Sequence, residues 1–216
     1  MSRIQRAYPI LVFLSITAMG WAADSTITIQ VYSEVALSDK VLSQAEGEGM
    51  RIFQRAKVST VWVNCDAFLA STDSRCHEAP DRKHLVLRIV PKALGGAESI
   101  FGVAFLAENG GVYADVFFDS IATLHRDCGA SIGRVLGHVM AHEVGHLLLG
   151  SNSHSSVGIM SPKWHREQLL RVGMGTLFFS SEDTRTMRGN ISNLEPSFAR
   201  KESVDEASRL GSKPSK

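Results

Sequence analysis

The sequence predicts an α/β (α+β) fold in which helices pack against a mixed, mostly parallel, twisted sheet. Five short segments before residue 120 are rich in β-branched residues or alternate between apolar and polar positions, as strands do. One helical pattern lies between the first two segments, and a long apolar helix follows the last. Strands and a helix in this order, leading to one late helix, are typical of a mixed sheet covered by helices.

The first half of the chain contains three of the predicted strands. Residues 27–33 alternate and are rich in β-branched side chains, which predicts the first strand. Residues 37–57 have apolar side chains at helical spacing and predict a helix, although two glycines weaken its middle. Residues 58–65 alternate clearly and predict the second strand. Residues 84–90 predict the third strand, which ends at Pro91.

Residues 103–106 and 112–118 predict two further strands, joined by the turn signal Asn109-Gly110-Gly111. A long helix is predicted over residues 132–149, where it would pack across the sheet. Its glycines at positions 133, 137 and 145 are poor helix formers, but they favour a close approach to that sheet. Short helices are predicted over residues 167–172 and 181–190.

The first 22 residues have the composition of an export signal. Arg3 and Arg6 give a positive start, residues 10–18 form an apolar core, and Gly20-Trp21-Ala22 places small residues at the cleavage position. We expect cleavage after Ala22, with the next residue as second choice, and therefore a secreted or periplasmic protein without stable membrane association. An uncleaved membrane anchor is the alternative, but the apolar stretch is short for a full span.

Cleavage would leave one folded domain over residues 23–194 and a disordered tail over residues 195–216, where charges mix and apolar residues thin out. The whole chain has 23 basic and 22 acidic residues, a net charge of +1. No basic stripe is present, which argues against nucleic acid as a partner. The oligomeric state is left open.

Export permits disulfides, and the sequence contains three cysteines. Cys65 and Cys76 flank a polar loop and could close it. Cys128 would then be unpaired, unless it takes one of the other two. The odd number leaves the pairing open.

The segment His142-Glu143-Val144-Gly145-His146 places two imidazoles four residues apart on the predicted long helix. Residues at this spacing project from one face, so both rings can reach one ion at ~2.0–2.1 Å. Imidazole nitrogens suit zinc, which lowers the pKa of a bound water to about 7. Glu143, beside the first imidazole, can accept a proton from that water. The spacing therefore predicts a zinc centre that activates water.

Two imidazoles do not complete such a centre, so a third ligand must come from outside the helix. His154 is the best candidate, because the helix should end near Gly150 and the polar residues 151–153 can turn the chain back. A downstream carboxylate, Glu167 or Glu182, is the alternative.

His138 lies four residues before His142 on the same helix face. It cannot share one ion with both other helix histidines, because eight residues of helix span ~12 Å. We interpret it as a packing residue or as a support for the ligands. The remaining histidines show no ligand spacing and are interpreted as surface or turn residues: His77, His84, His125 and His165.

The residues from 142 to 160 resemble the metzincin clan of zinc metalloproteases. The resemblance is carried by the motif at 142–146, by the later His154, and by Gly158-Ile159-Met160. It implies a zincin fold in which Met160, as the Met-turn residue, lies beneath the metal and Glu143 is the general base. The zinc ligands would be His142, His146 and His154. The run His154-Ser155-Ser156, leading to a methionine, is similar to the matrixin end of the clan.

The usual pattern of the clan places a glycine three residues, and the third histidine six residues, after the second histidine. Leu149 and Asn152 occupy those positions here, and Gly150 and His154 follow one and two residues later. A lengthened loop before the third ligand is therefore expected.

The leading hypothesis is a zinc-dependent endopeptidase with a metalloprotease-like catalytic domain over residues 23–194 and a peptide or protein substrate. The substrate would extend along a sheet edge, at residues 103–106, as an added strand. Trp164 would line the substrate pocket or belong to the core. The alternative is an exported zinc-binding interaction protein without hydrolytic activity.

Overall fold

The computed structural model of the protein describes residues 26–65, 73–93, 101–107 and 110–194. The export signal, the C-terminal tail and Asn109 of the predicted turn lie outside these ranges and stay predictions. Across the described ranges, the helices lack the length and apolar character that a membrane crossing requires.

The described residues form a five-stranded sheet in the order β2-β1-β3-β5-β4. Strands β2, β1, β3 and β5 run parallel to one another, and β4 pairs with β5 in the antiparallel direction. The predicted mixed, mostly parallel sheet is confirmed, and β4 lies at one of its edges. The strands are β1 (Ile27–Ser33), β2 (Thr60–Asn64), β3 (His84–Val90), β4 (Gly102–Ala107) and β5 (Gly110–Phe117).

Alternation along the strands buries one face of the sheet beneath helices. The apolar side chains at alternate positions of β1 and β3 are buried: Ile27, Ile29, Val31, Leu85, Leu87 and Ile89. Of the four positions between them, Thr28, Gln30 and Val86 are also buried, and Arg88 is exposed. A period of two residues is what a strand with one apolar face requires.

Helices supply the rest of the described fold: α1 (Asp39–Arg55), α2 (Phe118–Cys128), α3 (Ile132–Leu149), α4 (Arg166–Met174) and α5 (Ser181–Ser192). A short 3-10 helix covers Ser74–His77. The boundaries of every predicted strand and helix agree with the structure within two residues, and those of β1, β3 and α3 agree at both ends.

Helix α3 is buried over most of its length and packs against β4, β5 and α1. A Cβ atom at Gly137 would lie 2.7 Å from the Cβ of Glu48 on α1, and one at Gly133 would lie 2.9 Å from the carbonyl oxygen of Val41. The expectation that these glycines face the sheet is therefore wrong. They permit the close crossing of two helices instead.

Of the five described α-helices, α2 is the one that the sequence does not predict. The strand predicted to residue 118 ends at Phe117, and α2 begins at the next residue without a side-chain cap. The residues on both sides of this boundary are aromatic or β-branched, so strand propensity hides it. Ile121 and Leu124 are buried three residues apart, which is the helical signal that marks α2.

A disulfide joins Cys65 to Cys76, and Cys128 is a free thiol. Residues 75–78, at and after Cys76, lie over β1, where the Gln30 amide donates to the carbonyl oxygens of Arg75 at 2.6 Å and Glu78 at 3.0 Å. The structure thus selects one of the pairings that three cysteines allow.

We expect loss of this disulfide to lower the free energy of unfolding by about 2–3 kcal/mol, because the bridge restricts the unfolded chain. The comparison is between Cys65→Ala/Cys76→Ala and the unchanged protein in urea titrations. Cys128→Ala is the matched control and should cost less than about 1 kcal/mol, since it breaks no bridge. Equal costs for both variants would contradict the assigned pairing.

Candidate metal centre

Helix α3 holds two of the three predicted ligands. Its N-cap residue Ser131 accepts a hydrogen bond from the backbone N–H of Arg134, and its C-cap residue Gly150 has a φ of 64°. The left-handed region suits glycine, so the predicted helix end is confirmed. Between these caps His142 and His146 are buried on one face, at 3% and 4% exposure.

Backbone carbonyl groups orient both rings. The Nδ1 atom of His142 lies 2.7 Å from the carbonyl oxygen of Ile159, and that of His146 lies 2.9 Å from the carbonyl oxygen of Ser151. A carbonyl oxygen only accepts hydrogen bonds, so both Nδ1 atoms donate and both Nε2 atoms carry a lone pair. The two Nε2 atoms face each other at 3.2 Å. Two lone pairs at this distance repel unless a cation lies between them.

Protonation does not relieve this repulsion at neutral pH. Burial, with the nearby His146 as the next cause, lowers the pKa of His142 to about 3. Burial also lowers the pKa of His146. Both rings are therefore neutral at pH 7, which is the protonation state that a metal ligand needs.

His154 completes a group of three histidines whose ligand nitrogens lie within 4.8 Å of one another. Its ring centroid lies 5.4 Å from that of His142 and 4.8 Å from that of His146. Ligands at ~2.0–2.1 Å from a tetrahedral zinc ion are about 3.3 Å apart, close to the separation of the two buried Nε2 atoms. The group could therefore bind zinc.

Comparison with solved structures gives matches to zinc peptidases. Archaemetzincin from Methanopyrus kandleri has a TM-score of 0.51 and 17% identity, over 79% of this chain and 98% of its own. A zinc-dependent peptidase from Methanocorpusculum labreanum has a TM-score of 0.50 and 12% identity, over 74% of this chain and 99% of its own. The chain has a zinc metallopeptidase fold. Neither protein families nor curated proteins give a match.

The carboxylates considered as alternative third ligands lie elsewhere in this zinc metallopeptidase fold. Glu167 is exposed on α4 and pairs with Arg171 at 2.9 Å, and Glu182 is exposed in the first turn of α5. Neither belongs to the histidine group. His138 is also outside the group. Its Nδ1 atom lies 2.9 Å from the carbonyl oxygen of Arg134. Among the described residues, the group contains only the three predicted histidines.

Glu143 is buried beside Gly102, the first residue of the edge strand β4. Burial raises the pKa of its carboxyl group from the usual 4.5 to about 8. A Cβ atom at Gly102 would lie 2.8 Å from the Glu143 carboxyl carbon and would clash with the carbonyl oxygen of Asp115. Glycine at this position therefore allows the edge strand to pass close to the carboxyl group.

Met160 is fully buried against α3 next to the second histidine. A Cβ atom at Gly145 would lie 2.8 Å from the Met160 sulfur and 2.8 Å from the ring of Phe179. The residue before it, Ile159, uses its carbonyl oxygen to accept a second hydrogen bond, from the Trp164 indole N–H at 3.1 Å. The segment that carries Met160 is thus tied to both a ligand ring and an aromatic side chain.

Trp164 is 6% exposed, which confirms that it belongs to the core, and it also lines a cavity. The cavity has a volume of about 240 Å³. One of its lining residues, Phe101, has its ring centroid 5.9 Å from that of His142. The Phe101 and Trp164 rings pack at 4.6 Å. The lining residues are Phe101, Ser120, Thr123, Leu124, Lys163, Trp164 and His165.

Several contributors to this site are missed by sequence reasoning. Ile159 and Ser151 act through backbone carbonyl oxygens, so their side chains give no signal. Phe101 lies in a segment without clear periodicity. The Ser155 hydroxyl donates to the Asp183 carboxylate at 2.6 Å, a contact across 28 residues that no local spacing reveals.

We expect Gly145→Ala to lower the free energy of unfolding by about 1–3 kcal/mol, because the added methyl group meets Met160 and Phe179 in a packed core. Gly47→Ala on α1 is the matched control, since nothing lies within 4 Å of its Cβ position. That control should stabilise the protein by about 0.5–1 kcal/mol. Urea titration measures both, and a neutral Gly145→Ala would contradict the described packing.

The raised pKa of Glu143 predicts a pH dependence for the metal-free protein. The folded state holds the proton of the Glu143 carboxyl group more tightly than the unfolded state does. Its contribution to the free energy of unfolding is therefore full below pH 4.5 and is lost as the pH rises through about 8. The variant Glu143→Gln lacks this pH-dependent contribution. The unfolding free energy of the unchanged protein should therefore fall relative to the variant, by up to about 1.4 kcal/mol per pH unit. Parallel stability curves between pH 5 and 8, taken with a chelator, would argue against this.

Proposed function

We propose that the protein is a secreted or periplasmic zinc-dependent endopeptidase. The observation that carries the proposal is the position of the Nε2 atoms of His142 and His146, which face each other at 3.2 Å. Both rings are neutral, so each of these atoms carries a lone pair. Carbonyl groups keep both rings in this tautomer, and the resulting arrangement is unfavourable without a cation. His154 is the third ligand in this proposal.

Zinc, when bound, supplies a Lewis acid that lowers the pKa of water and polarises the scissile carbonyl. The chain itself supplies the proton transfers. The Glu143 carboxylate accepts a proton from the attacking water and then donates it to the leaving nitrogen, as a general base and general acid. Its burial on α3, next to the first ligand, limits the solvent that competes for this proton.

The edge strand β4 offers the substrate a backbone to pair with. Its outer side has no neighbouring strand in the described sheet, and its first residue, Gly102, lies against Glu143. A peptide that adds to this edge by backbone hydrogen bonds brings a peptide bond next to the carboxyl group. The cavity that Phe101 and Trp164 line then receives one of the side chains of the peptide.

We assign the chain to the metzincin clan within this proposal. Met160, buried against Gly145 beside His146, supports the role of Met-turn residue that forms an apolar floor for the metal. The matrixin-like character of residues 154–160 is part of the same assignment. The export signal predicted for residues 1–22 supports the proposed location outside the cytoplasm.

Glu143→Ala should lower the rate of peptide hydrolysis by at least about 100-fold while zinc stays bound, because a general base contributes this much without being a ligand. The measurements are cleavage of a peptide library, followed by mass spectrometry, and the zinc content of the purified protein. Cleavage by the unchanged protein should stop when a chelator is added.

Full activity of Glu143→Ala would refute the role of this carboxyl group. Tight zinc binding by the unchanged protein without cleavage of any library peptide would favour the alternative, an exported zinc-binding interaction protein. Absence of zinc binding would refute both.

A further inference from the structure

We propose that Asp183 on α5 is a positioning residue for the metal centre, because it anchors the lengthened loop that carries His154. This inference rests on the proposed zinc site. Asp183 does not touch the histidines, and its effect would pass through Ser155, the residue directly after His154.

The loop between the second and third histidines is two residues longer than the usual clan pattern, and most of its side chains are exposed. His154 itself is exposed, unlike its two buried partners. An exposed loop with few side-chain contacts has many conformations, and holding one of them costs entropy. Something outside the loop must therefore limit where His154 points.

Helix α5 contacts both ends of this loop. At the start, the Asn190 side-chain amide donates to the carbonyl oxygens of Leu148 at 3.0 Å and Leu149 at 3.1 Å, which are the last two residues of α3. At the end, the Asp183 carboxylate accepts from the Ser155 hydroxyl at 2.6 Å. Asp183 and Asn190 are seven residues apart, so they lie on one face of α5, two turns apart.

Ser155 is held from two directions. Its hydroxyl is bound by Asp183, and its backbone N–H donates to the carbonyl oxygen of Met160 at 2.9 Å. The second oxygen of the Asp183 carboxylate accepts from Ser180, from its hydroxyl at 2.7 Å and its backbone N–H at 3.2 Å. Asp183 is 6% exposed, and three donors orient its carboxylate. The anchor is therefore itself rigid.

Because both ends of the loop are held by hydrogen bonds, residues 150–154 can adopt few conformations. This is why a loop of unusual length can still bring the His154 ring within reach of the other two. Loss of the Ser155–Asp183 hydrogen bond should leave the buried pair of imidazoles intact and loosen only the third ligand.

The experiment compares zinc affinity, measured by competition with a chromogenic chelator, and the visible spectrum of the Co²⁺-substituted protein. Ser155→Ala and Asp183→Ala should each weaken zinc binding on the order of 10-fold, as outer partners of ligands do. The Co²⁺ spectrum should shift toward that of His154→Ala. Ser155→Thr, which keeps the hydroxyl group, should restore both readouts.

Two controls separate positioning from general stability. Ser38→Ala removes the N-cap of α1, where the hydroxyl accepts from the backbone N–H of Val41, and should lower stability without changing zinc affinity. In a His154→Ala background, Ser155→Ala should have no further effect on zinc affinity.

Unchanged zinc affinity in both Ser155→Ala and Asp183→Ala, or an undiminished effect of Ser155→Ala without His154, would overturn the positioning role. Failure of the unchanged protein to bind zinc is a different result, because it would refute the proposed function itself.

Discussion

The candidate centre depends on the hydrogen bonds that the carbonyl oxygen of Ile159 accepts. It accepts hydrogen bonds from the His142 ring and from the Trp164 indole, so one backbone atom orients both a ligand and a wall of the adjacent cavity. The Ser151 carbonyl does the same for His146. Because carbonyl groups cannot donate, these bonds leave each ring one tautomer and direct the free lone pairs toward a common point.

The largest cause of the pKa shifts at the centre is burial in an environment that disfavours charge. Burial lowers the pKa of His142 and His146 and raises that of Glu143, so all three groups lose charge near neutral pH. A cation at the histidine group opposes the shift at Glu143, since an opposite charge stabilises a carboxylate. The apolar packing of α3 thus keeps both histidine rings neutral. It also gives Glu143 a raised pKa, which a cation at the histidine group would lower.

Most of the fold and the centre of the site are predictable because they depend on local periodicity. The four-residue spacing of His142 and His146 indicates a helix, and the glycine after Leu149 marks the C-terminal end of α3. What fails depends on context: strand propensity hides the start of α2 at Phe118, and three equivalent cysteines cannot reveal their pairing. The contacts of Ile159 and Asp183 join residues far apart in sequence through backbone atoms or a single hydroxyl group. No local pattern encodes them.

The three histidines differ in how they are held, and this difference follows from the chain's topology. Two lie on one buried helix, where packing against the sheet and α1 sets their geometry before any ligand arrives. The third comes from an exposed loop, and the residues on both sides of this loop form hydrogen bonds with the later helix α5. Metal binding at such a centre draws on preorganisation from the core for two ligands and from the C-terminal region for one. In the proposed metal centre, helix α5 would therefore contribute to the free energy of metal binding, although none of its residues belongs to the histidine group.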